Sequence, residues 1–178
     1  VKIRWDDYSV NNYVRWCGNI VLQNDINDPL SRQSQIILQA GKSITLERGK
    51  SPTQHIGEEE IGDEWSFTEP TVLTLKNGTK TTLKNGSTMV VREGSKLIIE
   101  SGAQLIIEQN ASLEVQDNSY LILESGATIK CTQTNARIIV NDGGLLKMNG
   151  NDIQLNNISS RIELNANGTI ETEQITLI

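Results

Sequence analysis

From Met89 onward the apolar residues fall in pairs two positions apart, Met89/Val91, Leu97/Ile99, Leu105/Ile107, Leu113/Val115, Leu121/Leu123, Ile129/Cys131, Ile138/Val140 and Leu146/Met148. Successive pairs are eight residues apart, with one extra residue before Ile138. A spacing of two puts both side chains on the same side of an extended chain, so each pair predicts one short strand with one buried face. A turn residue stands ahead of each pair: Gly78, Gly86, Gly94, Gly102, Asn110, Asn118 and Gly126, then Asn135, Gly143, Asn151, Ser159 and Asn167, with Gly41 and Gly49 in the same phase upstream. A small residue follows, as at Ser87, Ser95, Ala103, Ala111, Ser119, Ala127 and Ala136. Gly and Asn tolerate left-handed backbone, so each marks a sharp corner between strands.

A strand and a corner repeated in phase describe a solenoid. One unit cannot bury its apolar pair alone, but coiling stacks equivalent units about 4.8 Å apart and joins them into one core. The fold class predicted is all-β, a parallel β-helix, right-handed and three-sided with about 24 residues per coil; the alternative is a two-sided, flattened solenoid of about 16. The outward residue of each unit offers a test, because stacked neighbours share an environment. Two faces sort these residues into an apolar column (Val90, Ile106, Ile122, Ile139) and a mixed one (Ile98, Glu114, Lys130, Lys147), whereas three faces mix Val90 with Glu114 and Ile106 with Lys130. Three sides remain the main expectation because that coil is the commoner construction.

The chain before this array differs in kind. Trp5, Tyr8, Tyr13, Trp16, Trp65 and Phe67 all precede residue 70, and Tyr120 alone lies inside the array. Bulky rings suit a cap on the first coil, so residues 1–34 are expected to be an N-terminal cap and 35–178 the solenoid. The competing reading makes Trp5, Trp16, Trp65 and Phe67 a sugar- or peptide-binding face, since flat rings stack on sugars and anchor interfaces. Residues 50–70 break the period with two prolines, His55 and a run of acids, and read as an insertion between coils. Within it Glu58, Glu59, Glu60 and Asp63 are candidate Ca2+ ligands, but they lack the punctuated spacing of a calcium loop, and a solvated acidic loop is the simpler reading. His55 has no second His, Cys or nucleophile signature beside it and reads as a loop histidine.

Charge and composition narrow the function. The 178 residues carry 16 Lys and Arg against 22 Asp and Glu, a net charge of -6, which argues against a sequence-independent grip on nucleic acid. No apolar run has the length of a membrane helix, and the start, lacking Met and a signal-peptide core, looks like that of a mature or excised piece. Cys17 and Cys131 are too few for a disulfide framework or a thiolate metal site, and Cys131 stands where other units carry Ile, Val or Leu, as a core residue would. No nucleophile elbow, phosphate loop, zinc helix or dinucleotide fingerprint occurs, and no cofactor is expected. The enzyme case rests on carboxylates. Glu100, Glu108 and Glu124 share one outward position, and on three faces Glu100 and Glu124 become neighbours in adjacent coils, roughly 5 Å apart, close enough for each to perturb the other. Without an Arg, a His or an aromatic subsite beside them in the repeat, catalysis is not the expected role. Five Asn-x-Ser/Thr triplets, at Asn77, Asn85, Asn110, Asn157 and Asn167, follow from corner composition and are not taken as glycan sites.

Residues 94–130, GSKLIIESGAQLIIEQNASLEVQDNSYLILESGATIK, with their recurring Glu-Ser-Gly-Ala units at Glu100–Ala103 and Glu124–Ala127, resemble the β-helical stretches of large secreted surface proteins of type IX-secreting bacteria. The run Ile36–Leu46 is similar to segments that open such arrays. The resemblance implies a structural stalk or spacer beside other modules, secreted and held at the cell surface. The function expected is thus a non-catalytic scaffold, stalk or adhesion segment. Its partners would be other domains of a larger parent protein, a second copy, or surface glycans, with neither nucleic acid nor membrane insertion. The alternatives are a carbohydrate-binding or polysaccharide-cleaving β-helix, and a self-polymerising filament subunit similar to bactofilins.

Overall fold

A computed structural model describes residues 13–16, 19–22, 35–41, 43–46 and 70–172. In chain order its strands are β1 (Tyr13–Trp16), β2 (Asn19–Leu22), β3 (Gln35–Leu38), β4 (Ser43–Leu46), β5 (Val72–Leu75), β6 (Lys80–Leu83), β7 (Thr88–Val91), β8 (Lys96–Ile99) and β9 (Gln104–Ile107). The chain continues through β10 (Ser112–Val115), β11 (Tyr120–Leu123), β12 (Thr128–Cys131), β13 (Arg137–Val140), β14 (Leu145–Lys147), β15 (Ile153–Leu155), β16 (Arg161–Leu164) and β17 (Thr169–Glu171). No helix occurs among the described residues.

Every third strand joins the same sheet. The first sheet runs β1-β4-β7-β10-β13-β16, the second β2-β5-β8-β11-β14-β17 and the third β3-β6-β9-β12-β15. All pairings are parallel: Leu73 pairs with Leu97 and Leu97 with Leu121 along the second sheet, which makes a coil of 24 residues. The solenoid is therefore three-sided. The extra residue before β13 is absorbed in the corner, so Ser112 pairs with Arg137 and the register of the inward pairs is kept.

The predicted pairs form the core. Met89/Val91, Leu113/Val115 and Ile138/Val140 from the first sheet, Leu97/Ile99 and Leu121/Leu123 from the second, and Leu105/Ile107 and Ile129/Cys131 from the third are all fully buried. Each such aliphatic side chain contributes about 1.5–3 kcal/mol of burial, and coiling adds those contributions along one axis. Thr81 is the exception. It occupies an inward position between strands carrying Ile36 and Leu105, and its buried hydroxyl has no hydrogen-bond partner. Thr81→Val is expected to stabilise the fold by about 1 kcal/mol, because a methyl replaces an unsatisfied hydroxyl at nearly constant volume. A rise in the urea midpoint at constant m-value is the readout, and a fall would mean that the hydroxyl is satisfied in solution.

The outward columns are mixed, as three faces require: Thr45, Val90, Glu114, Ile139 and Glu163 stack in the first sheet, and Thr82, Ile106, Lys130 and Gln154 in the third. The two-column sorting is not realised because an outer column of half-buried residues is amphipathic throughout. Long charged side chains lay their stems over neighbouring apolar ones, and Ile139, between Glu114 and Glu163, is only 8% exposed although it points outward.

The corners turn where Gly and Asn predict. Gly78, Gly86, Gly94, Gly102, Asn110, Asn118, Gly126, Asn135, Gly143 and Asn167 all have positive φ, as does Gly41. Gly102, at φ +75, is doubly constrained, since a Cβ there would come within 2.2 Å of Asn77 Oδ1. Asn151 and Ser159 are not left-handed; in the corner after β14 the left-handed residues are Asn149 and Gly150, at φ 41 and 73. That strand is one residue shorter than β13 before it and than β11, its partner one coil earlier, so the chain turns early.

Strands β1 and β2 lie upstream of residue 35 and pair with β4 and β5. The rest of the expected cap, and nearly all of the expected insertion, lie outside the described residues.

Candidate functional site

The coil length decides which side chains meet. Glu100 leaves β8 and Glu124 leaves β11, adjacent strands of one sheet, and Glu124 N–H donates to Ile99 O at 2.9 Å just as Glu100 N–H donates to Leu75 O at 2.9 Å. The two carboxylates therefore occupy one column in successive coils. Glu108 leaves β9 on the third sheet and belongs to a different column.

The chemistry of the Glu100 column is set by its other neighbour. Lys76, one coil earlier, donates its ammonium to Glu100 Oε1, and on the next face Lys84 Nζ makes the same contact with Glu108 Oε1 at 2.9 Å. The repeat itself carried this signal: Lys76 and Lys84 stand at the same place in their units as Glu100 and Glu108, 24 residues later. These half-exposed pairs are each worth at most about 1 kcal/mol. They also occupy the carboxylates. Glu124 is exposed, and no ion pair is found for it among the described residues.

Other ladders follow the same axis. Asn110 Nδ2 donates to Asn85 Oδ1 at 3.4 Å and Asn135 Nδ2 to Asn110 Oδ1 at 3.3 Å, while Asn165 Nδ2 donates to Asn141 Oδ1 at 2.6 Å. On the first sheet Arg161 Nε lies 2.8 Å from Glu163 Oε1, with Arg137 reaching the same oxygen at 3.8 Å. On the second sheet Lys96 Nζ stands 5.3 Å from the Tyr120 ring centroid, within cation-π range.

Of the remaining candidates for binding a ligand or a metal, Trp16 alone lies among the described residues. Trp16 closes β1 on the first sheet. Trp5, Trp65, Phe67, Glu58, Glu59, Glu60 and Asp63 lie outside the described residues, as does His55. Among the described residues no group of three His, Cys, Asp or Glu side chains is placed to hold a metal, and no helix is long and apolar enough to cross a membrane.

Cys131 is fully buried at an inward position, paired across the ladder with Ile107 and Leu155. Burial pushes its thiol up from 9.0 to about 11, which keeps it protonated and a poor nucleophile at neutral pH. The sign of the linkage follows. In the unfolded chain the thiol ionises near 9, whereas in the folded one it does so only near 11. Its contribution to stability is therefore complete below pH 9 and is lost as pH climbs through about 11. The urea midpoint of the wild-type chain is expected to fall more steeply over that window than that of Cys131→Val; parallel curves would place the thiol in water.

No protein-family model matches the chain, and comparison with curated proteins and with solved structures returns no significant match to it.

Proposed function

We propose that this solenoid is a non-catalytic scaffold, a rigid stalk or adhesion segment of a larger secreted protein at the cell surface. The observation that carries the reading is the continuity of axial bonding on every side. Strand ladders on three faces, Lys–Glu columns and amide ladders all run along one axis, so a load along that axis is shared by many parallel bonds. The resemblance of residues 94–130 to β-helical stretches of type IX-secreted surface proteins supports the same use and the same location. Glu100, the best catalytic candidate, is occupied by an ion pair with Lys76.

The test sets the chain against a panel of polysaccharides, scoring retention and the release of reducing ends for wild type and for the Glu100→Gln/Glu124→Gln double variant. The scaffold predicts no release by either protein and equal retention. Release that disappears in the double variant would overturn it in favour of a polysaccharide-cleaving β-helix.

A second reading, end-to-end self-association, is favoured by one feature. Leu155 and Leu164 are 44% and 53% exposed, although the residues one coil earlier, Cys131 and Val140, are fully buried. Sedimentation velocity over a concentration series separates the two, since a filament subunit grows with concentration and a stalk does not.

A further inference from the structure

Asn followed by Gly occurs at four corners: Asn77–Gly78, Asn85–Gly86, Asn149–Gly150 and Asn167–Gly168. This dipeptide is the most open to attack of a backbone nitrogen on the preceding side-chain amide, because glycine has no side chain to shield its nitrogen. The reaction requires that nitrogen to give up its hydrogen and move toward Cγ, so a hydrogen bond holding the N–H in place opposes it.

Three of the four nitrogens are held. Gly78 N–H donates to Gly102 O at 3.2 Å, Gly86 N–H to Gln109 O at 2.9 Å and Gly168 N–H to Asn165 O at 3.1 Å. Their surroundings add to this. Asn77 Oδ1 is packed against Gly102, Asn85 Oδ1 accepts from Asn110, and Gly168 lies so close to Val140 O that a Cβ would come within 2.5 Å of it. The corner at Asn149 differs. Gly150 is exposed and its N–H has no partner among the described residues, and neither has the Asn149 side-chain amide. The polar contacts of this corner are made by the next residue, Asn151.

We infer that Asn149 is a site of spontaneous, water-consuming modification, the one Asn–Gly pair of the four that deamidates in the folded chain. The Gly150 nitrogen bonds to Asn149 Cγ and loses its proton, and the side-chain nitrogen leaves as ammonia, which closes a succinimide. Water then adds at one of the two ring carbonyls and opens the ring to aspartate or isoaspartate. No electrons are transferred, and the net change is water consumed and ammonia released. The product carries one more negative charge, and the isoaspartate form routes the main chain through an extra methylene beside Asn151.

The folded full-length chain is incubated at mildly alkaline pH and mapped by peptide mass spectrometry for the gain of one mass unit, with chromatographic separation of the isoaspartyl peptide. A parallel sample in concentrated urea gives the rates of the four pairs without the fold. In the folded chain Asn149 is expected to convert at least about tenfold faster than each of the other three, and in urea the four rates converge to within about threefold. Asn149→Gln, with an unchanged circular dichroism spectrum, removes the modified species. Equal rates in the folded chain, or any other pair leading, overturns the assignment. So does an equal lead for Asn149 in urea, which would make local sequence, not the corner, the cause.

Discussion

Leu121→Asp abolishes the solenoid, whereas Ile122→Asp, one residue further along the same strand, leaves it folded. Leu121 is fully buried in the middle of the second sheet, stacked between Leu97 and Leu146, and its coil has a neighbour on both sides. A carboxyl there loses water on every side and finds no donor in an all-aliphatic column. The cost exceeds about 4 kcal/mol even if the group takes up a proton. The damage also spreads, because a solenoid is stabilised by interfaces between nearest-neighbour repeats and a failed central coil removes two of them. Ile122 points outward between Ile98 and Lys147, where an aspartate keeps its hydration and gains a nearby ammonium, so the loss is about 1 kcal/mol. Circular dichroism and urea titration of the two variants check this. Similar losses at both positions would mean that the strand is buried on both faces or is out of register with its neighbours.

The same alternation explains why the inward half of this fold was legible in the sequence. Every coil imposes the same demand on its inward pair, small corner residue and left-handed turn, so Leu97/Ile99, Ser95 and Gly94 recur with little variation. The outward half answers to no such demand. Thr45, Val90, Glu114, Ile139 and Glu163 share one column because half-exposed stems of any polarity can stack, so the residue types did not reveal how many faces close a coil. Once the coil length is known, charge becomes informative, and Lys76 and Lys84 fall one coil before Glu100 and Glu108. The Glu column was visible before the structure; the lysines that occupy it stand at the same place in the repeat one coil earlier and become its partners once the coil is fixed at 24 residues. Asn151 and Ser159 were legible as corner residues but not in the role they play.

That role carries the second large effect. Around the corner between the second and third sheets, Gly78 N–H donates to Gly102 O and Gly102 N–H to Gly126 O, each one coil further along. At the next step the acceptor is a side chain, with Gly126 N–H donating to Asn151 Oδ1 at 2.8 Å. The corner between the third and first sheets ends in the same way, with Asn135 N–H on Ser159 Oγ at 3.1 Å after Asn110 N–H on Thr134 O at 2.9 Å. Asn151 does more than accept. Its Nδ2 donates to the carbonyls of Met148 at 2.7 Å, Glu124 at 2.9 Å and Leu123 at 3.1 Å, fastening its own coil to the one before. Asn151→Ala is therefore expected to cost about 2 kcal/mol, because it removes the acceptor of Gly126 N–H and the side-chain donor to Leu123 O together, while Met148 O and Glu124 O keep their backbone donors. Asn151→Asp keeps the acceptor for Gly126 but sets a carboxylate against those carbonyls, so it recovers little of the loss. Repeat arrays open from the ends, so the damage is local. Hydrogen exchange should quicken in β15 to β17 while β8 and β11 stay protected, and uniform loss of protection along the axis would show that the solenoid unfolds as one unit.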